Sequence, residues 1–162
     1  MARTEWLLLG LFGVLVLSAG GVASVAYWKR STNAMRYIPA LHVAEDAHEI
    51  PRDLLARVAF QESRFREDVI TGQTQSAAGA QGIMQIVPRF HPTVNPLDPY
   101  AAIAYAGQYL AALFRRFGTW KLALAAYNWG PENLARNLNA PGKWPTETLR
   151  YIAEITEDVP VV

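Results

Sequence analysis

Cysteine is absent from the 162-residue chain, which removes both a disulfide framework and thiolate metal sites. That absence is compatible with a periplasmic or extracellular site without establishing one. Histidine is scarce: His42, His48 and His91 are scattered. His42 and His48 are poorly spaced for a shared helix face, and no cluster has ligand spacing, so neither a metal nor another cofactor is expected. An excess of one charge is also missing. The net charge is +1, which gives no reason to expect a nucleic-acid partner. No internal repeat is visible. Acidic residues are missing throughout the stretch between Asp68 and Asp98.

What the chain does contain begins with a long uncharged run. Trp6 to Trp28 is 23 residues without a charge, long enough to cross a bilayer as a helix. Trp6 at one end and Tyr27 and Trp28 at the other suit the two interfaces. Three readings compete: a retained signal anchor, a signal peptide cleaved near Ser24-Val25-Ala26, and a weak anchor able to leave the membrane. Cleavage is the least favoured, because the run exceeds a usual signal core and Lys29 and Arg30 follow directly. These cations would keep the C-terminal side in the cytoplasm, yet long following domains translocate despite such flanks. The expected organisation is a membrane segment at residues 1–29, a linker at 30–36 and one globular domain at 37–162, a monomer, exported to the cell envelope.

The globular part reads as helices. Tyr37, Leu41, Ala44 and His48 recur at helical spacing and predict a first helix over Arg36–Glu49. Ile50-Pro51 breaks it, and Pro51 or Asp53 starts the next. Thr71–Gln75 reads as a turn, with at most a minor β hairpin around residues 70–80. Gly82–Val87 leads into a short helix that Pro88 limits. Three prolines make Phe90–Pro99 a loop. Pro99–Phe117 is the longest helical pattern, ended by Gly118. Thr119 caps an Ala/Leu-rich helix, a short helix follows Pro131, and the last spans about Thr146–Glu157. The fold class is therefore all-α.

Within this pattern Glu62 is out of place. Leu55, Val58 and Ala59 mark the apolar stripe of the second helix, and Glu62 falls on it. Desolvation there raises a carboxyl pKa, and a carboxyl protonated near neutral pH is what a general acid needs. The plainer reading is a helix-end Glu paired with Arg64 or Arg66.

The surroundings decide between them. Glu62-Ser63-Arg64-Phe65 is followed by Ser76-Ala77-Ala78-Gly79-Ala80-Gln81-Gly82-Ile83-Met84-Gln85. Then come Ala125-Ala126-Tyr127-Asn128-Trp129-Gly130-Pro131 and Glu147-Thr148-Leu149-Arg150-Tyr151-Ile152. Four motifs in this order resemble the lytic transglycosylases of the soluble-lysozyme-domain (SLT) type, which share a lysozyme-like fold with goose-type lysozyme. The resemblance implies cleavage of peptidoglycan strands between N-acetylmuramic acid and N-acetylglucosamine, with Glu62 as sole acid and base and a 1,6-anhydromuramoyl product. It implies that Ser76 and Gln85 line the sugar cleft, and that Tyr127 orients the catalytic carboxyl. It also implies substrate-binding roles for Asn128, Glu147 and Tyr151. Each has a plainer alternative: a packed aromatic for Tyr127, a backbone cap for Asn128, a first-turn helix acid for Glu147. Met84 reads as gap-filling core before ligand contact. The interval from Glu62 to Ser76 is longer than the family's, and the last motif starts one residue tighter.

Two other functions compete. A goose-type hydrolase would need a carboxylate to position water, with Asp68 the candidate. A non-catalytic peptidoglycan-binding or virion structural protein would have no use for Glu62. Bacterial and phage origin, including an endolysin, stay open.

Overall fold

The computed structural model describes Lys29 and residues 31–161. The expected membrane segment lies outside the described residues, among which no helix is long and apolar enough to cross a membrane. Helix α1 (Thr32–Ala47) starts within the stretch expected to be linker, capped by the Ser31 hydroxyl, which accepts from the Ala34 N–H at 3.0 Å. It buries Ala34, Tyr37, Leu41, Ala44 and Glu45, the 3–4 spacing of one helical face. Pro39 lies inside it on the exposed side.

Helix α2 (Leu54–Ser63) is enclosed on all sides over its first six residues, Leu54 to Ala59. A helix buried all round belongs in the centre of a domain. It packs against α1 on one side and the last helix on the other. A single turn, α3 (Glu67–Ile70), follows. Glu67 and Asp68 open this turn.

Residues 71–98 form the non-helical lobe. They hold one isolated antiparallel bridge, Gln81 with Ile86, joined by two N–H···O bonds of 3.0 Å. No strand occurs among the described residues, so the minor hairpin expected around residues 70–80 reduces to this bridge, further along. The short helix expected over Gly82–Val87 is also absent. Gly82 (φ 73°) and Gln85 (φ 48°) are left-handed, which an α-helix cannot contain. Gly82 is required twice over, since a Cβ there would lie 1.9 Å from the Pro96 carbonyl oxygen.

Helix α4 (Pro99–Phe117) has the expected bounds, with Asp98 accepting from the Tyr100 and Ala101 N–H groups and Gly118 closing it at φ 85°. It crosses α1 where Gly107 has no side chain; a Cβ there would meet Ala44 at 3.1 Å. Thr119 caps α5 (Trp120–Trp129) as expected, accepting from the Leu122 N–H. Then come α6 (Pro131–Asn137), a 3-10 turn at Pro141–Lys143 and α7 (Thr146–Asp158). Helix α5 touches α4, α6 and α7, which its run of buried Ala123, Leu124, Ala125 and Ala126 permits. The architecture is all-α.

Candidate active site

Helix α2 ends one residue after Glu62, and the sequence forces it to. The Ser63 hydroxyl donates to the Ala59 carbonyl at 2.9 Å and accepts from the Phe65 N–H at 3.2 Å. Arg64 and Phe65 then adopt φ of 51° and 53°, a left-handed conformation costing about 1–2 kcal/mol per non-glycine residue. Burial of Phe65 against Phe60, and a bond from the Asn33 amide to the Phe65 carbonyl at 2.9 Å, offset that cost. Glu-Ser-Arg-Phe is thus a stop signal that leaves Glu62 on the last turn, at the edge of the core.

Glu62 is half-buried. Its Oε1 accepts one hydrogen bond, from the Tyr151 hydroxyl at 2.7 Å. Burial pushes the carboxyl pKa up to about 7; the Tyr151 bond opposes the rise and the negative charge of Glu147 adds to it. The residue keeps some surface exposure while its carboxyl is strongly desolvated. Burial also lifts the Tyr151 and Tyr127 hydroxyls well above the usual tyrosine range, with the Glu62 charge contributing in each case. Both phenols therefore stay protonated and act as donors.

The other motif residues fall into two groups. Tyr127, Glu147 and Tyr151 share the electrostatic neighbourhood of Glu62. The hydrogen bond expected from Tyr127 to the acid is made by Tyr151 instead; the Tyr127 hydroxyl donates to the Met84 carbonyl at 3.0 Å and so ties α5 to the lobe. Met84 itself is fully buried. Glu147 stands exposed in the first turn of α7, one turn before Tyr151. Asn128 accepts from the buried Thr148 hydroxyl at 2.8 Å, a link between α5 and α7.

Ser76 and Gln85 are placed in the lobe and hold its turns. The Ser76 hydroxyl accepts from the Ala80 N–H at 2.8 Å, and the Gln85 amide donates to the Gly82 carbonyl at 3.1 Å. Asp68 is fully engaged: Arg66 gives it bonds of 3.1 and 2.6 Å and the Thr74 hydroxyl one of 2.7 Å. Those bonds, Arg66 first, hold its carboxyl below the usual range.

Sequence reasoning missed the clamp behind Glu62. Arg57, buried on α2, donates to Asp158 at 2.5 Å, to the Gln61 amide oxygen at 2.9 Å and to the Glu154 carbonyl at 3.0 Å. Gln61 donates in turn to the Glu154 carboxylate at 2.7 Å. These contacts fix α2 to α7, and hence Glu62 to Tyr151. The signal was an arginine inside the apolar run LLARVAF, where a charge requires a partner.

Residues 39–149 match the Transglycosylase SLT domain. The match covers most of the chain, which belongs to this family, the peptidoglycan lytic transglycosylases. No solved structure matches the chain.

Proposed function

We propose that the chain cleaves the bond between N-acetylmuramic acid and N-acetylglucosamine with Glu62 as its single acid and base, leaving a 1,6-anhydromuramoyl end. The observation that carries this reading is a carboxyl with a pKa of about 7, held by one phenol. At neutral pH a large fraction of Glu62 is protonated and can donate to the leaving glycosidic oxygen. The resulting carboxylate then removes the proton of the muramoyl 6-hydroxyl as that oxygen bonds to the anomeric carbon. The proton given in the first step is regained in the second, and no water is consumed. Tyr151 stabilises the carboxylate between the steps without supplying a charge.

The hydrolytic alternative needs a second carboxylate free to position water. Asp68 speaks against it, since its oxygens are occupied by Arg66 and Thr74. Mass spectrometry of muropeptides released by the protein tests the proposal: anhydro ends support it, and reducing ends overturn it in favour of hydrolysis. We also propose, from sequence alone, that residues 6–28 tether the catalytic domain in the cell envelope. Intact-mass measurement of the membrane fraction tests this, a mature N-terminus at Tyr27 being the refuting result.

A further inference from the structure

Helix α1 turns one face to the domain and the opposite face outward. Tyr37, Leu41 and Ala44 point inward, against α2 and α4. Met35, Pro39 and Val43, each four residues from the next, form a stripe on the far side. Met35 is 61% exposed and Val43 67%, and exposed Ala47 extends the row by another turn. Two charges flank the stripe. Arg36 is exposed near its start; Asp46, near its end, pairs with Arg52 at 3.1 Å. The way the chain enters this helix bears on what covers the stripe. The uncharged run Trp6–Trp28 ends one residue before Lys29. The Lys29 ammonium bonds the Asp53 carboxylate at 2.6 Å, and the other Asp53 oxygen lies 2.9 Å from His42 Nε2 on α1. Ser31 then caps α1. The residue that follows the run is thus pinned to α1 and to the start of α2 at once, and α1 begins at Thr32.

We propose that the Met35–Pro39–Val43 face of α1 rests on the lipid bilayer, with Arg36 at the level of the phosphates. The inference rests on the tether proposed for residues 6–28 and extends it: the domain lies on the membrane in one orientation instead of hanging from a flexible stalk. A bilayer-crossing run that ends just before α1 delivers that helix to the interface, and the Lys29 contacts hold it there. A helix at the interface buries apolar side chains at the headgroup boundary and keeps cations beside the phosphates. Met35, Pro39 and Val43 suit the first and Arg36 the second. Asp46, the acid on this face, already has a partner in Arg52. A second copy of the chain fits the stripe less well. Four side chains on one helix do not supply the roughly 800 Å² per partner that a stable dimer buries. A lipid surface sets no such minimum, because the tether holds it close. With α1 on the lipid, the seam that holds Glu62 and Tyr151 is directed away from the bilayer, since α2 lies between α1 and α7.

The test uses the full chain, whose lack of cysteine lets one introduced thiol carry one fluorophore. Met35→Cys and Val43→Cys place the label on the stripe. Leu149→Cys, at a position 46% exposed on α7, is the control. Each labelled protein is reconstituted into phosphatidylethanolamine–phosphatidylglycerol vesicles, with and without lipids brominated near the headgroup end of their acyl chains. Bromolipid should quench the labels at Met35 and Val43 about threefold more than the label at Leu149, as an interfacial helix face requires. Stripe labels quenched no more than the control, on a chain that still floats with the vesicles, overturn the proposal and leave the tether standing. Stripe labels shielded from a water-soluble quencher yet indifferent to bromolipid mean a second copy, and also overturn it. A chain that does not float with the vesicles refutes the tether and this contact together. If alkaline carbonate strips the chain from vesicles whose bromolipid had quenched both stripe labels, the tether fails and the α1 contact stands.

Discussion

Replacing Glu62 by Gln should make the protein inactive and, at alkaline pH, more stable. The magnitude follows from the carboxyl itself. Its folded-state pKa is about 7 against an ordinary 4.5, a gap worth about 3 kcal/mol at 1.36 kcal/mol per pH unit. The folded value lies above the unfolded one. The stability gained by holding the proton is therefore fully present below pH 4.5 and lost as pH rises through 7. Above that, wild type carries an ionised carboxylate in a poorly hydrated place, and the Gln variant does not. Partial exposure of Glu62 lets water relieve some of this cost, so about 1–3 kcal/mol is expected at pH 9, roughly 3–10 °C in Tm. At pH 4 the two proteins should melt together. Turnover of cell walls should fall by roughly 10²–10⁴-fold at every pH. Thermal melts of both proteins from pH 4 to pH 9, with turbidity clearing alongside, measure both effects. A Tm difference that does not change with pH would mean that Glu62 ionises as it would in water, and the account of its acidity would fail. Clearing at the wild-type rate by the Gln variant would remove Glu62 from the chemistry.

Five further outcomes are expected. In wild type, kcat/KM should decline above pH 7 as Glu62 loses its proton. Tyr151→Phe removes the hydrogen bond that favours the carboxylate, so this alkaline limb should move to higher pH while the rate drops. Glu147→Gln removes a negative charge that favours the protonated form, so the same limb should move to lower pH; pH–rate profiles of the pair test the opposed signs. Asp68→Asn should leave turnover within about twofold, since the reaction needs no water-positioning carboxylate; a loss as deep as that of Glu62→Gln at unchanged Tm would favour hydrolysis. Arg57→Met removes the buried guanidinium that bonds Asp158, Gln61 and the Glu154 carbonyl and should cost roughly 3–5 kcal/mol in denaturant unfolding.

Local signals carried much of this fold. Asp98-Pro99 and Gly118 bracket α4 because a cap, a proline and a glycine act within one turn of the residues they control. Thr119 and α5 were legible for the same reason. The lobe at residues 71–98 was not. Its short apolar run Gly82–Val87 suits a helix by composition, but the tight approach of Gly82 to Pro96 selects a left-handed turn. That contact spans residues far enough apart that no window reads it. The site divides similarly. Glu62 stood out as an acid on an apolar stripe. Its hydrogen-bond partner did not, because Tyr127 and Tyr151 lie on neighbouring helices and only their packing gives one Glu62 and the other the Met84 carbonyl.

The start of α2 shows how such tertiary choices shape the chemistry at its other end. The sequence puts Pro51 or Asp53 there, with Asp53 favourable near the helix dipole. In the structure Asp53 has φ 70° and makes no capping bond; its carboxylate pairs with Lys29 at 2.6 Å and His42 at 2.9 Å. The cap comes from α1. Fully buried Glu45 accepts from the Asp53 and Ala56 N–H groups, each at 3.0 Å. Burial pushes the Glu45 pKa up, and the two N–H groups pull against it by rewarding the ionised form. The positive end of the helix dipole works in the same direction. Glu62 lies at the opposite end, where backbone carbonyls crowd and the dipole disfavours a negative charge. It has one phenol donor in place of two backbone N–H groups. A carboxyl thus lies at each end of this ten-residue helix, and their different donors, together with the helix dipole, set them different tasks. The one at the amino end is hydrogen-bonded as a structural cap, and the one at the carboxyl end keeps a proton available near pH 7. Burial supplies most of the rise at Glu62, and the direction of α2, which enters the core at Leu54 and ends at Ser63, adds to it by setting the carboxyl against the negative end of the helix dipole.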